Sequence, residues 1–145
     1  MNNPRENSLG AQMAIALQLI KRKNQKAIAN AGFIITMEQL AVLEILYYHG
    51  DMNMTELAHA LWKQNANITR IVDKLEKRSF VVRKAVKGDR RANLLSITDR
   101  GRQVYIKILP ILNEANNKAG SDISQEEKEI TLSTLKKIIN HLSES

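Results

Sequence analysis

Gly88-Asp89-Arg90-Arg91-Ala92-Asn93-Leu94-Leu95-Ser96-Ile97-Thr98-Asp99-Arg100-Gly101 follows closely on a basic, helix-patterned segment. It reads as a hairpin tip bearing arginines, then a strand over Leu94-Leu95-Ser96-Ile97, then a helix capped by Thr98. The partner strand is the β-branched and aromatic run Phe80-Val81-Val82-Arg83-Lys84-Ala85-Val86. The connection, Lys87 to Asn93, carries Gly88 and the arginine pair. A cationic hairpin tip suits one target above others, the groove of a nucleic acid.

Upstream, Asn53-Met54-Thr55-Glu56 spells a capping box and opens a short helix with Leu57, Ala58 and Leu61 inward. After a break at Trp62-Lys63-Gln64, a second helix is expected from about Asn65 to Arg78. Ile68, Ile71, Val72 and Leu75 fall at i, i+3, i+4 and i+7, so they make its apolar stripe. Asn67, Arg70, Lys74 and Lys77 lie on the other side. A short helix, a tight turn and a helix with a basic outer face form a helix-turn-helix, and the hairpin is its wing.

Outside this unit the pattern is helical. Apolar residues from Leu9 to about Ala31 (Leu9, Met13, Ala16, Leu17, Ile20, Ala27, Ile28 and Ala31) share a face, and Gly32 ends the run. Thr36-Met37-Glu38-Gln39 is a capping box for a helix through Leu40, Leu43, Leu46 and Tyr47, stopped at His49-Gly50. The helix after Thr98 turns Val104, Tyr105, Ile108, Leu112 and Ala115 inward, with Pro110 expected to kink it. Ser124-Gln125-Glu126-Glu127 caps a last helix striped by Ile130, Leu135, Ile138, Ile139 and Leu142. The expected order is α-α-α-α-β-β-α-α: mainly α with a small β-hairpin wing. The first helix and the last two keep apolar stripes with no partner left in the chain. A second copy is expected to cover them, giving an intertwined, twofold homodimer.

The chain has 145 residues and a net charge of +7, enough for one core and one domain. The charge is not spread evenly. Residues 1–61 are neutral overall, whereas residues 62–102 hold twelve basic and four acidic groups, a net +8. Such a window attracts polyanions. With no cysteine, disulfides and thiol redox sensing are excluded. No run is long and apolar enough to span a membrane, and the polar N-terminus is unlike a signal peptide, so a cytoplasmic location is expected.

The residues from Ala66 to Arg78, together with Asp89-Arg90-Arg91 and the following Leu94 to Gly101, resemble the MarR family of bacterial transcription regulators. Asp-x-Arg, a strand and Thr-x-x-Gly stand in that family's order, and the likeness extends over nearly the whole chain. It implies a dimeric winged helix that binds a pseudo-palindromic double-stranded DNA operator, acts as a repressor and is released by a small molecule. Carried over residue by residue, DNA contacts fall on Asn65, Asn67, Thr69, Arg70 and Lys74. The minor-groove arginine falls on Arg90 or Arg91, positioned by Asp89. The family organisation implies residues 33–102 as the DNA-binding lobe, with 1–32 and 103–145 as dimerisation helices. Two departures concern the backbone. Trp62 stands where relatives carry a turn glycine, with Gln64 at the helix N-cap. Ser79 occupies a place where glycine is common and a left-handed backbone is expected.

For a small aromatic or lipophilic effector, Met13, Leu17, Tyr47, Trp62 and Tyr105 are the candidate lining. His49, His59 and His141 lack flanking carboxylates at ligand spacing, so neither metal nor cofactor is expected. No nucleophile with a paired base, phosphate loop or carboxylate cluster points to an enzyme. The competing readings are a ligand-independent DNA-binding regulator and an architectural protein. RNA is disfavoured because an aromatic ladder for single strands is missing.

Overall fold

The computed structural model describes residues 3–62 and 65–144, with the side chains at 65, 66 and 89–92 outside that description. Among the described residues six helices and one hairpin follow in the expected order: α1 (Leu9–Asn30), α2 (Met37–His49), α3 (Met54–Ala60), α4 (Asn65–Lys77), β1 (Val81–Val86), β2 (Asp89–Ile97), α5 (Asp99–Ala119) and α6 (Gln125–Ser143). No helix among the described residues is long and apolar enough to cross a membrane. The three capping boxes read from the sequence all form, at Thr36–Gln39, Asn53–Glu56 and Ser124–Glu127. At the first, the Gln39 amide donates to the Thr36 hydroxyl and the Thr36 amide to the Gln39 side chain, both at 3.1 Å. Helix α5 continues past Pro110.

One core joins α1 to α5 and the hairpin, and none of its described residues belongs to α6. Leu43 and Leu46 of α2, Leu57 of α3, and Ile68, Val72 and Leu75 of α4 are fully buried with Ile28 of α1 and Ile108 of α5. Each such side chain contributes about 1.5–3 kcal/mol by leaving water. Because Ile28, Tyr105 and Ile108 belong to this core, α1 and α5 are anchored against α2 to α4 as well as extending beyond them. Gln25 locks the α1 end to the start of α2: its amide donates to the Ile35 carbonyl at 2.9 Å and accepts from the Met37 amide at 3.0 Å.

The hairpin is antiparallel, from Val81 opposite Ile97 to Val86 opposite Asp89, with a register irregularity between Ala85 and Val86. The sequence reading began the second strand at Leu94; the backbone instead starts pairing at Asp89, leaving Lys87 and Gly88 as the turn. Asp89 to Asn93 contains no β-branched or aromatic residue, so propensity gave no strand signal there, and pairing with β1 overrides it. A contact that the sequence did not announce extends the sheet. Met52 and Leu95 exchange backbone hydrogen bonds, 3.2 and 2.8 Å, tying the α2–α3 connection to the wing base.

Among the described residues four helices end at a residue with positive φ, that of α2 at Gly50 (φ 80°). After α1, the amide of Gly32 (φ 89°) bonds to the Ala29 carbonyl and that of Phe33 to Ile28. After α4, the Ser79 amide (φ 60°) bonds to the Glu76 carbonyl and the Phe80 amide to that of Leu75, the Schellman pattern, with Phe80 and Leu75 both buried in the core. After α3, Trp62 takes φ 55° and bonds to the His59 carbonyl. Glycine adopts this conformation freely; a residue with a Cβ does so at a cost of about 1–2 kcal/mol.

The Thr-x-x-Gly pattern has a physical basis in the same corner. The Thr98 hydroxyl shares its one proton between the Ser79 and Phe80 carbonyls, at 2.6 and 3.1 Å, and accepts from the Gly101 amide at 3.0 Å. That one side chain caps α5 and holds the exit of α4. A Cβ on Gly101 would sit 2.2 Å from the Phe80 carbonyl oxygen, so only glycine fits.

Candidate nucleic-acid interface

Helix α4 presents one buried and one open face. With Ile68, Val72 and Leu75 at zero exposure, its rotation is set, and Asn67, Thr69, Arg70 and Lys74 are exposed on the remaining surface. Asn67, Arg70 and Lys74 recur at i, i+3 and i+7, the spacing of a single helix face. Asn offers a donor and an acceptor suited to adenine, and Arg a planar fork suited to guanine or phosphate. Asn65, Asp89, Arg90 and Arg91, assigned to DNA from the sequence, have side chains outside the described residues.

The wing is held against this helix by Arg83 of β1. Its guanidinium reaches Asp73 and Glu76 of α4, both at 2.8 Å. The hydrogen bond to Asp73, opposed by partial burial and reinforced by the Glu76 charge, raises the Arg83 pKa above its ordinary value. Arg83 therefore works inside the molecule, joining the two elements that would enter neighbouring grooves. Sequence reasoning missed it; the signal was an arginine on the strand with two carboxylates three residues apart on the preceding helix. Arg78 is also engaged internally: it donates to the Ile34 carbonyl and stacks 4.5 Å over Phe80.

The five residues expected to line an effector site are not gathered in one place. Tyr47 and Tyr105 meet, ring centroids 4.9 Å apart, with Tyr48 against both. Tyr105 is 2% exposed. Burial first, then the Tyr48 hydrogen bond and the Glu44 charge, pushes its phenol well above the usual range. Met13 and Leu17 lie elsewhere. Residues 19–24 of α1 face Ala115 to Ala119 of α5, and residues 23–30 face Ile111 to Lys118. The helices thus run antiparallel, and the Met13–Leu17 end of α1 is directed away from Tyr105. Trp62 stands on the helix-turn-helix itself and is 69% exposed.

A helix-turn-helix with a clamped, cationic wing defines a winged-helix DNA-binding protein. Comparison with known proteins narrows this. The model of the MarR family matches residues 35–92. The HTH-type transcriptional regulator MhqR of Bacillus subtilis is 33% identical over 100 residues, 69% of each chain. The transcriptional repressor MprA of Escherichia coli is 27% identical over 132 residues, covering 91% of this chain and 74% of that one. Solved structures that share the fold include a mutant E. coli MarR complexed with operator DNA (TM-score 0.83, 20% identity, 91% of this chain and 94% of the other), and the transcriptional repressor CouR bound to a 23-mer DNA duplex (TM-score 0.84, 24% identity, 92% and 94%). The chain belongs to the MarR family, and it is a DNA-binding transcriptional regulator.

Proposed function

We propose that the chain is a cytoplasmic, non-catalytic repressor that binds a pseudo-palindromic double-stranded DNA operator as a homodimer. The observation that carries this reading is the two-faced α4, whose open side aligns Asn67, Arg70 and Lys74. Thr69 and Asn65 join them in the major groove, and Arg90 or Arg91, steadied by Asp89, enters the minor groove. Half-sites are expected about 10 base pairs apart, one turn of the duplex.

Dimerisation is supported by apolar surface outside the 33–102 lobe. Leu9, Ile15, Leu17, Leu19 and Ile20 on α1, and Ile130, Leu132, Ile139 and Leu142 on α6, are each at least 43% exposed. Among its described residues α6 buries nothing within its own chain. Such patches mark a protein interface, and segments 1–32 and 103–145 carry them.

Gel shifts with duplex from the upstream region of its own gene test the reading. Arg70→Ala should abolish discrimination between operator and random duplex. Lys74→Ala should weaken both alike and reduce the salt slope by about one unit. Unchanged affinity and slope after Arg90→Ala with Arg91→Ala would refute the wing assignment.

A small aromatic or lipophilic effector would act by its differential affinity for DNA-competent and incompetent dimers. The Tyr47–Tyr105 pair supports a site at the junction of the lobes, with Met13 and Leu17 contributed across the dimer. Typical couplings of about 1–3 kcal/mol would weaken operator binding about 5- to 150-fold. Should no aromatic acid or lipophilic compound alter operator affinity, the ligand-independent regulator replaces this reading.

A further inference from the structure

We infer that Trp62 is a DNA-contacting residue whose indole packs on the sugar-phosphate edge of the duplex beside α4. Its conformation supplies the first argument. Trp62 holds φ 55° in the turn after α3, whereas Gly32 holds the corresponding turn after α1 without a Cβ. Left-handed backbone at a bulky residue is uncommon, and such strain concentrates at functional positions.

Nor is the indole placed to repay that strain within the fold. It is 69% exposed, and its ring neighbour is His59, centroids 5.8 Å apart. A buried tryptophan would offset the strain by leaving water; this one stays largely in it.

Location selects the partner. Most of the exposed large apolar residues lie on α1 and α6, with Ile34, Tyr48, Val82, Ile106 and Ile123 scattered elsewhere, while Trp62 sits in the helix-turn-helix, three residues before the start of the recognition helix. It also opens the stretch of net +8, where the field favours a polyanion over another copy of a basic protein. Indole fits a nucleic-acid backbone: its flat face covers deoxyribose carbons, and its single N–H donates to a phosphate oxygen. His59, itself exposed, lies tilted beside the ring.

The inference rests on the DNA-binding reading, and the test separates the two. Trp62 is the only tryptophan of the chain, so its emission reports on this position alone. The full-length protein is titrated with duplex from its own upstream region, following emission and affinity at several salt concentrations, alongside Trp62→Gly and Trp62→Phe. Wild-type emission should change on binding. Trp62→Gly should melt no lower than wild type, yet bind about tenfold more weakly, the scale of one aromatic contact to a nucleotide. Its salt slope should match wild type because no cation is lost. Trp62→Phe, which keeps a ring, should recover most of the affinity. Wild-type binding with unaltered emission, or Trp62→Gly binding as wild type, overturns the inference and leaves the regulator intact. So does a Trp62→Gly chain that melts well below wild type, since the indole would then be structural, or one whose salt slope falls. A folded wild-type protein that fails to bind duplex at low salt overturns both.

Discussion

Ser79 shows what a single backbone angle imposes. The Schellman turn after α4 needs φ near 60° whatever residue occupies it, because the Phe80 amide must reach the Leu75 carbonyl for Phe80 to enter the core. Ser79→Gly should therefore stabilise the protein by about 0.5–1 kcal/mol, strain relief exceeding the entropy that glycine adds to the unfolded chain. A urea melt with an unchanged or lower midpoint would contradict this. Gly101 is the reverse case. Gly101→Ala forces a Cβ into the Phe80 carbonyl, which cannot move without losing its bonds from Thr98. Overpacking of that kind costs about 1–3 kcal/mol, and the same melt should show it. Both residues were visible in the sequence as a missing glycine and as a Thr-x-x-Gly pattern. What they do was not, since the carbonyl that Gly101 accommodates belongs to a residue far along the chain.

Among elements, the wing and α6 respond to different perturbations. Arg83 ties β1 to α4 through two partly exposed carboxylates, and such pairs contribute only about 0–1 kcal/mol to folding. Their effect on recognition should be larger, because they set the wing's angle to the recognition helix. Arg83→Ala should leave the thermal midpoint nearly unchanged and lower operator affinity; Arg83→Lys should not restore it, since one ammonium cannot bridge both carboxylates with the same fork. An Arg83→Ala protein with full affinity would remove the clamp from the account. The α6 cap is expected to respond to acid. Hydrogen bonding to the Ser124 amide first, and then to its side chain, lowers the Glu127 pKa below its ordinary value. A carboxyl with a depressed folded pKa contributes fully above its unfolded pKa and loses that contribution as pH falls through the folded one. Helicity of α6 should thus decline below the ordinary glutamate range, and Glu127→Gln should flatten the dependence, as followed by circular dichroism. Caps were legible because they are local, three residues apart. The Arg83 clamp and the Met52–Leu95 bridge were not, because each joins segments that only the fold brings side by side.

For the whole molecule, the open apolar faces of α1 and α6 decide the assembly. Ile139→Asp with Leu142→Asp places two charges on a face that carries no core residue of its own chain. The variant should keep its winged-helix fold and sediment as a monomer, binding half-sites far more weakly than wild type binds the palindrome. A dimer of undiminished stability would move the interface elsewhere. The sequence alone determined the order of elements, the apolar side of α4 and the basic window of residues 62–102, because periodicity, caps and charge are written in neighbouring residues. Tertiary structure decided where β2 begins, which arginines work within the protein, and that within one chain Met13 and Leu17 lie toward the end of α1 remote from Tyr105. Those outcomes depend on strand pairing and on the antiparallel run of α1 against α5, distances in space that no local spacing encodes.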